Sequence, residues 1–209
     1  MKRLFFSRMV FLFLVCFATL VVLISLSSTK LNAAPGLVGI VVDDKNTVIT
    51  FDAVTDTYLG SVPIRVGQPG YGFTGDCAIT TDGTRGFVTG GDGTVWVIDI
   101  TTIPPTLDPG TNPITISNRG KDITITPDQK FLLVTGGTLL TPISVIDIAS
   151  RSEIGTFSLG HDHNSIEALS DDSVLVTSSH SGNVYRLTID GAGNLTNTGE
   201  VLYLSLIHI

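Results

Sequence analysis

Residues 122–147 read DITITPDQKFLLVTGGTLLTPISVID, and 46 positions earlier the chain reads DCAITTDGTRGFVTGGDGTVWVID. Asp76 matches Asp122, Ile79 matches Ile125, Asp82 matches Asp128, and Val88-Thr89-Gly90-Gly91 matches Val134-Thr135-Gly136-Gly137. Residues 39–52, GIVVDDKNTVITFD, align without a gap on residues 86–99, GFVTGGDGTVWVID. A β-rich unit recurring at a fixed period in the forties has two apolar faces, cannot bury them alone, and must stack on copies of itself.

Each unit carries four short runs, here A to D. In the third unit A is Ile123–Thr126, B Phe131–Thr135, C Ile143–Ile148 and D Glu153–Leu159, with Pro127–Lys130 as the A–B turn. The second unit has A at Cys77–Thr80, B at Gly86–Thr89, C at Val95–Ile100 and D at Pro113–Ser117, after a proline-rich excursion from Pro104. The fourth has A at Ile166–Leu169, B at Val174–Ser178, C at Val184–Ile189 and D at Gly199–Tyr203. The first unit begins at strand B and lacks A. These runs alternate or are β-branched, and Gly, Asp, Asn and Pro separate them; nothing after residue 35 keeps apolar residues at helical spacing. The prediction is an all-β body over residues 36–203: a β-propeller of four-stranded antiparallel blades, three complete and the first partial. The units fall at about 37–73, 74–120, 121–165 and 166–203.

The two ends read differently. Lys2, Arg3 and Arg8 precede the apolar run 9–26, and Leu31-Asn32-Ala33 offers small-residue cleavage before Ala34. Residues 1–35 are therefore expected to be a signal peptide or an uncleaved N-terminal membrane anchor, and the body to be exported: secreted, periplasmic or at the cell surface. Residues 204–209, LSLIHI, resemble the translation of a transposase adapter, so the natural sequence is expected to end near Tyr203, in a truncated reading frame. With the leader removed Cys77 is the only cysteine, which excludes an intramolecular disulfide. Beyond Lys30 eight Lys and Arg stand against nineteen Asp and Glu, a net charge of −11 that repels phosphate backbones and argues against nucleic acid.

Thr-Pro-Asp followed by Phe-Leu-Leu-Val-Thr, then Ser-Val-Ile-Asp and Glu-Ile-Gly-Thr, resembles the YVTN-type repeat of bacterial and archaeal β-propellers over Leu37 to Tyr203. The Tyr-Val-x-Asn core of that repeat is here Leu-Val-Thr-Gly or Phe-Val-Thr-Gly. The resemblance implies a ring of mostly seven blades, of which these units form about half. Its relatives range from surface and periplasmic proteins without chemistry to lactonases and haem or quinone dehydrogenase chains.

In such a ring the B–C turns and D–A links share one face, around the channel mouth. His161 and His163 fall in the link into the fourth unit and His180 in its B–C turn. If the link is extended, His161, His163 and His180 form a three-nitrogen site with an open position, suited to Zn²⁺ or another divalent first-row metal. The alternative is that they are solvated loop residues. Asp76 and Asp122, with Ser165 at the same repeat position, ring the channel mouth. They would either take a cation or amine ligand or bond backbone N–H groups of the neighbouring unit. Asp82-Gly83, Asp92-Gly93 and Asp190-Gly191 read as hairpin turns, as does Asp43–Asn46; Asp52, Asp99 and Asp147 read as caps of the C–D turns. Trp96 is expected to pack between blades and Cys77 to act as a small buried hydrophobe.

No Gly-x-Ser-x-Gly elbow, CxxCH haem attachment or phosphate-cradling glycine loop is present. The reading is an exported, non-enzymatic scaffold presenting its channel face to a protein, or to a small-molecule or carbohydrate ligand, through His161, His163, His180, Asp76 and Asp122. No cofactor is predicted beyond a possible divalent metal, and the membrane is met only through an uncleaved N-terminal segment. The alternatives are a metal-assisted hydrolase or lactonase-like enzyme on the same face, and a purely structural envelope repeat.

Overall fold

Alternation of β-branched and aromatic residues between Gly, Asp and Pro punctuation produces sixteen short strands and no helix among the described residues. The computed structural model describes residues 38–43, 47–64, 75–138 and 140–203, all within the unit Asn32–Ile209. Residues 1–35, for which a signal peptide or membrane anchor is expected, residues 44–46 of the first B–C turn and residues 204–209 lie outside the described residues. Among those residues no helix is long and apolar enough to cross a membrane.

Four antiparallel sheets follow in chain order. The first holds β1 (Val38–Val42), β2 (Thr47–Asp52) and β3 (Thr57–Pro63), and among the described residues has no strand A. The second holds β4 (Cys77–Ile79), β5 (Arg85–Gly90), β6 (Thr94–Asp99), β7 (Thr106–Leu107) and β8 (Ile114–Thr115). The third holds β9 (Ile123–Ile125), β10 (Phe131–Val134), β11 (Ile143–Asp147) and β12 (Ser152–Phe157); the fourth holds β13 (Ser165–Ser170), β14 (Ser173–Ser178), β15 (Asn183–Ile189) and β16 (Leu195–Tyr203). Strand pairing repeats from sheet to sheet. Phe87 faces Val97 across β5–β6, and its equivalent Leu133 faces Val145 across β10–β11.

The period of two decides where the core sits, because successive side chains leave opposite faces of a strand. Val95 and Val97 of β6 join a cluster with Ile123, Ile125, Leu132 and Val134 of the third sheet. Ile98 and the half-buried Trp96 turn the other way, onto Ile40, Val48 and Val62 of the first. Phe131 and Leu133 of β10 in turn meet Ile166, Val174, Val176 and Leu187 of the fourth. Each seam between consecutive sheets is thus its own apolar core, worth about 1.5–3 kcal/mol per fully buried large side chain. Trp96 packs between sheets as expected, and Cys77 is a free, half-buried thiol against the Ile40 carbonyl.

Turn carboxylates act locally. Asp82 and Asp128 each accept the hydroxyl of the threonine two residues before (Thr80, Thr126; 2.6 Å) and the N–H two residues after (Thr84, Lys130; 3.0 Å). Asp52, Asp99 and Asp147 cap the C–D turns by accepting N–H groups of Val54, Thr101 and Ser150. Where the fourth unit has Thr188, Asp190 does this work on Ala192 and Asn194.

The outer strand of the second sheet differs from the expected run Pro113–Ser117. It is split: Thr106–Leu107 pairs with Asp99–Ile98, and Ile114–Thr115 pairs with Val95–Thr94. Between the pieces the Asn112 side chain stands in for a strand residue, accepting the Val97 N–H at 3.0 Å and donating to the Val97 carbonyl at 2.7 Å. The outer strand of the fourth sheet starts at Leu195, earlier than the expected Gly199.

Candidate functional site

Two features set the face that carries the D–A links and B–C turns. The first is the start of each strand A, where Asp76, Asp122 and Ser165 occupy one repeat position. Their backbone N–H groups donate to the hydroxyls of Thr89, Thr135 and Thr177 at 2.9, 3.3 and 3.1 Å. The Asp122 carboxylate accepts its neighbour's N–H from Ile123 at 2.9 Å and then crosses to the fourth sheet, taking the Ile166 N–H at 2.8 Å and the Ser165 hydroxyl. Asp76 stands at the same repeat position one sheet earlier, on β4, which packs beside β9. Burial pushes the Asp76 carboxyl up to about 8, with Asp122 adding to the effect. The Asp122 carboxylate thus bonds a backbone N–H and a hydroxyl of the neighbouring sheet.

The second feature is the link into β13. Asp162 is buried, and its oxygens accept the hydroxyls of Ser178 and Ser179, each at 2.6 Å, the His180 N–H at 3.1 Å and the Asn164 side-chain amide at 3.0 Å. Burial alone would raise its pKa; the serine hydroxyls and the His180 N–H reverse this and hold it well below the usual carboxylate range. His163 is fully buried. Its Nδ1 lies 2.9 Å from the Thr141 carbonyl, which only accepts, so Nδ1 carries the hydrogen and Nε2 accepts the Leu159 N–H at 3.2 Å. Burial lowers its pKa, in keeping with a neutral ring.

The link is therefore not extended as the three-nitrogen arrangement requires. Gly160 takes a left-handed φ of 77°, and both Asp162 and His163 turn inward. With both ring nitrogens of His163 bound to backbone, His161, His163 and His180 do not converge. Among the described residues no three His, Cys, Asp or Glu side chains group as a metal centre would need. His161 instead lies half-exposed, stacked on Tyr185 with ring centroids 6.2 Å apart and planes 15° apart, and His180 is exposed. The Tyr185 hydroxyl donates to Ser181 at 3.1 Å and accepts the Asn183 amide at 3.2 Å. Asp162 and Tyr185, which sequence reasoning did not single out, thus fix the surface on which the two outward histidines stand. The signal available for Asp162 was the Ser178-Ser179 pair at the end of the adjoining strand, two short hydroxyls with one acidic partner in reach.

No family model matches the chain, and no curated protein matches it. Solved structures do. A functionally unknown protein from Desulfotomaculum acetoxidans shares 26% identity with a TM-score of 0.63, over 79% of this chain and 51% of that one. The Kuenenia stuttgartiensis hydrazine synthase shares 21% at a TM-score of 0.59, over 84% and 52%. The β-propeller domain of Myceliophteria thermophila Cps50 (Swd1) shares 10% at 0.58, over 76% and 53%. The fold is a β-propeller. The chain spans about half the length of these structures. Its four sheets are successive blades, with β4, β9 and β13 packed side by side as inner strands. The Asp162 knot joins the D–A link of the fourth blade to its own B–C turn, both on one face.

The opposite face is tied differently. Asp108, buried in the proline-rich excursion of blade two, accepts the Arg85 Nε at 2.9 Å and pairs with Arg151 of blade three. Burial opposes its ionisation, but Arg151 first and Arg85 second hold its carboxyl below the ordinary range.

Proposed function

We propose that the chain is an exported, non-enzymatic propeller of the YVTN type that acts as a binding scaffold at the cell envelope or surface, with the face around His161 and His180 as its contact surface. The observation that supports this most is the Asp162 knot. It makes a D–A link and a B–C turn into one rigid piece while leaving the His161 and His180 side chains outward. A surface whose loops are already ordered loses little conformational entropy on binding. Tyr185 beneath His161 adds an aromatic, hydrogen-bonding floor of the kind enriched at interfaces. The partner is a protein, or a carbohydrate that stacks on the imidazole. Export rests on the N-terminal residues 1–35, and the YVTN assignment on the repeat residues already quoted.

The test uses the full chain, immobilised and exposed to solubilised envelope proteins and to a carbohydrate array, beside the His161→Ala/His180→Ala variant. A species retained by the parent chain and lost by the variant, with melting temperatures equal, supports the reading. Equal retention by both sinks the assignment of this face, and no retention by either leaves the purely structural repeat as the better account.

A further inference from the structure

The B–C turn of blade three is longer than its counterpart one blade earlier. Between Gly137 and Ile143 the chain places Thr138-Leu139-Leu140-Thr141-Pro142, where blade two has Asp92-Gly93-Thr94 between Gly91 and Val95. The feet of this turn are fixed. The Thr141 hydroxyl donates to the Thr138 carbonyl at 2.8 Å, and the Thr141 N–H donates to the same carbonyl at 3.3 Å. The Thr141 carbonyl accepts the His163 Nδ1–H at 2.9 Å, and the Pro142 carbonyl accepts the Asn118 amide at 3.0 Å. The Gly137 N–H donates to the His163 carbonyl at 3.1 Å. The turn is thereby tied to the same link that carries His161 and Asp162, on the face of the D–A links and B–C turns.

Leu140 stands on this turn in a conformation that leucine rarely takes. Its φ is 69°, a left-handed backbone in which a side chain crowds the following carbonyl. Among the described residues four non-glycine positions have such a φ, and Leu140 is the apolar one. At two of the others the side chain makes a hydrogen bond that offsets the strain: Gln129 accepts the Thr81 N–H at 2.9 Å, and Arg151 donates to the Pro109 carbonyl at 2.9 Å. The Leu140 side chain has no polar atom to bond with and is 76% exposed, so neither hydrogen bonding nor burial within the chain offsets its strain. We infer that Leu140 is an apolar anchor of this face, inserting into an apolar pocket of a protein partner. The inference rests on the reading of the face as a contact surface and names the class of its partner. A leucine gives a sugar's hydroxyls nothing to bond and no flat ring to stack on, which favours a protein over a carbohydrate. A second copy of this chain is disfavoured by the net charge of −11 beyond Lys30, which makes two copies repel. With the turn fixed in advance, little more than the side chain is left to be ordered on binding.

The experiment uses the full chain, immobilised and exposed to solubilised envelope proteins, as the parent, Leu140→Asn, Leu140→Gly, Leu140→Met and His161→Ala/His180→Ala. Asparagine and glycine accept the left-handed backbone and remove the apolar group, whereas methionine keeps it. Two results are expected together. Leu140→Asn and Leu140→Gly melt about 2 °C or more above the parent, because the strain is relieved and an exposed side chain gives up no packing. The protein retained by the parent, once purified and titrated, binds these two variants at least about 30-fold more weakly and Leu140→Met within about threefold of the parent. Benzoylphenylalanine introduced at position 140 then crosslinks to that protein. Loss by Leu140→Asn with retention by the histidine variant supports the anchor and removes the histidines from the contact. Full affinity of Leu140→Asn for a protein that the histidine variant loses overturns the anchor and leaves the contact face standing. Retention by both variants, or no protein retained by the parent, overturns the anchor and the face together. Melting temperatures of Leu140→Asn and Leu140→Gly at or below the parent's overturn the inference without reference to any partner. A sugar, or a dimer of the chain itself in sedimentation, lost on Leu140→Asn in place of a protein overturns the class of partner.

Discussion

The Ser178 hydroxyl, 16 residues further along the chain, donates to Asp162 at 2.6 Å, and both side chains are buried. That bond is the centre of the knot holding the link into blade four against the turn that carries His180. Removing the acceptor leaves the Ser178 hydroxyl buried without its partner, and hydrogen bonds to a charged group count for about 1.5–3 kcal/mol each. Asp162→Ala is expected to destabilise the chain by about 2–3 kcal/mol in urea denaturation at neutral pH. Because the folded pKa of Asp162 is depressed, its contribution is present above the unfolded value of 3.8 and is lost as pH falls below it. The parent should lose stability on acidification below pH about 4 more steeply than Asp162→Asn does.

His163 supplies a second, independent check on the same link. Its ring is buried and neutral with the hydrogen on Nδ1, and its pKa is lowered by burial. Protonation at Nε2 would turn the acceptor of the Leu159 N–H into a second donor facing a donor. Nitrogen-15 spectra should therefore report a single neutral Nδ1–H tautomer for His163 through pH 6.5, where an ordinary histidine titrates. Stability should fall as pH drops below that unfolded value, since the unfolded chain then binds a proton the folded chain refuses. His163→Ala should cost about 2–3 kcal/mol, from two lost hydrogen bonds and the cavity left behind.

What was legible in the sequence follows from periodicity. The repeat of Val134-Thr135-Gly136-Gly137 on Val88-Thr89-Gly90-Gly91 located strands A, B and C in each complete unit, because those strands are set by alternation and by local Asp and Gly turns. The alignment of Gly39 on Gly86 likewise placed the first strand of the first blade as a strand B, and among the described residues that blade has three strands. The split outer strand was not, since Asn112 pairs with Val97 through its side chain and leaves no alternating pattern. Nor was the inward turn of His163. Spacing gives the direction of a side chain in a regular strand, but the link leaves regular geometry at Gly160, where φ turns positive. The role of Asp122 was half visible: its shared repeat position with Asp76 and Ser165 was legible, and the reach of its carboxylate to Ile166 of the next blade was not.

Asn112 makes a pairing that shape alone does not satisfy. Its amide nitrogen donates to the carbonyls of Val97 and Asp108, at 2.7 and 3.1 Å, while its oxygen accepts from Val97. Asn112→Asp keeps the size but places a carboxylate oxygen against two carbonyls. It should destabilise more than Asn112→Ala, for which the loss of the bonds predicts about 1–2 kcal/mol. Equal losses for the two variants in thermal denaturation would show that the amide donor is not what holds the two halves of the outer strand.

The buried Asp108 carboxylate bridges two arginines that differ in exposure, and exposure decides how much each pair contributes. The Arg151 side chain is 14% exposed and also donates to the Pro109 carbonyl at 2.9 Å, whereas Arg85 is 46% exposed. Water screens the second pair and its flexible side chain gives up entropy to hold the contact, so exposed pairs couple by about 0–1 kcal/mol. The first pair is shielded and held from two sides. A double-mutant cycle of Asp108→Ala with Arg151→Ala should return a coupling of about 2–3 kcal/mol, and the same cycle with Arg85→Ala less than about 1 kcal/mol. Raising the salt concentration should shrink the Arg85 coupling and leave most of the Arg151 coupling in place, because a buried pair is screened far less than one at the surface. The reverse order of the two couplings would mean that Asp108 is held from within its own blade, with blade three contributing little to its ionised state.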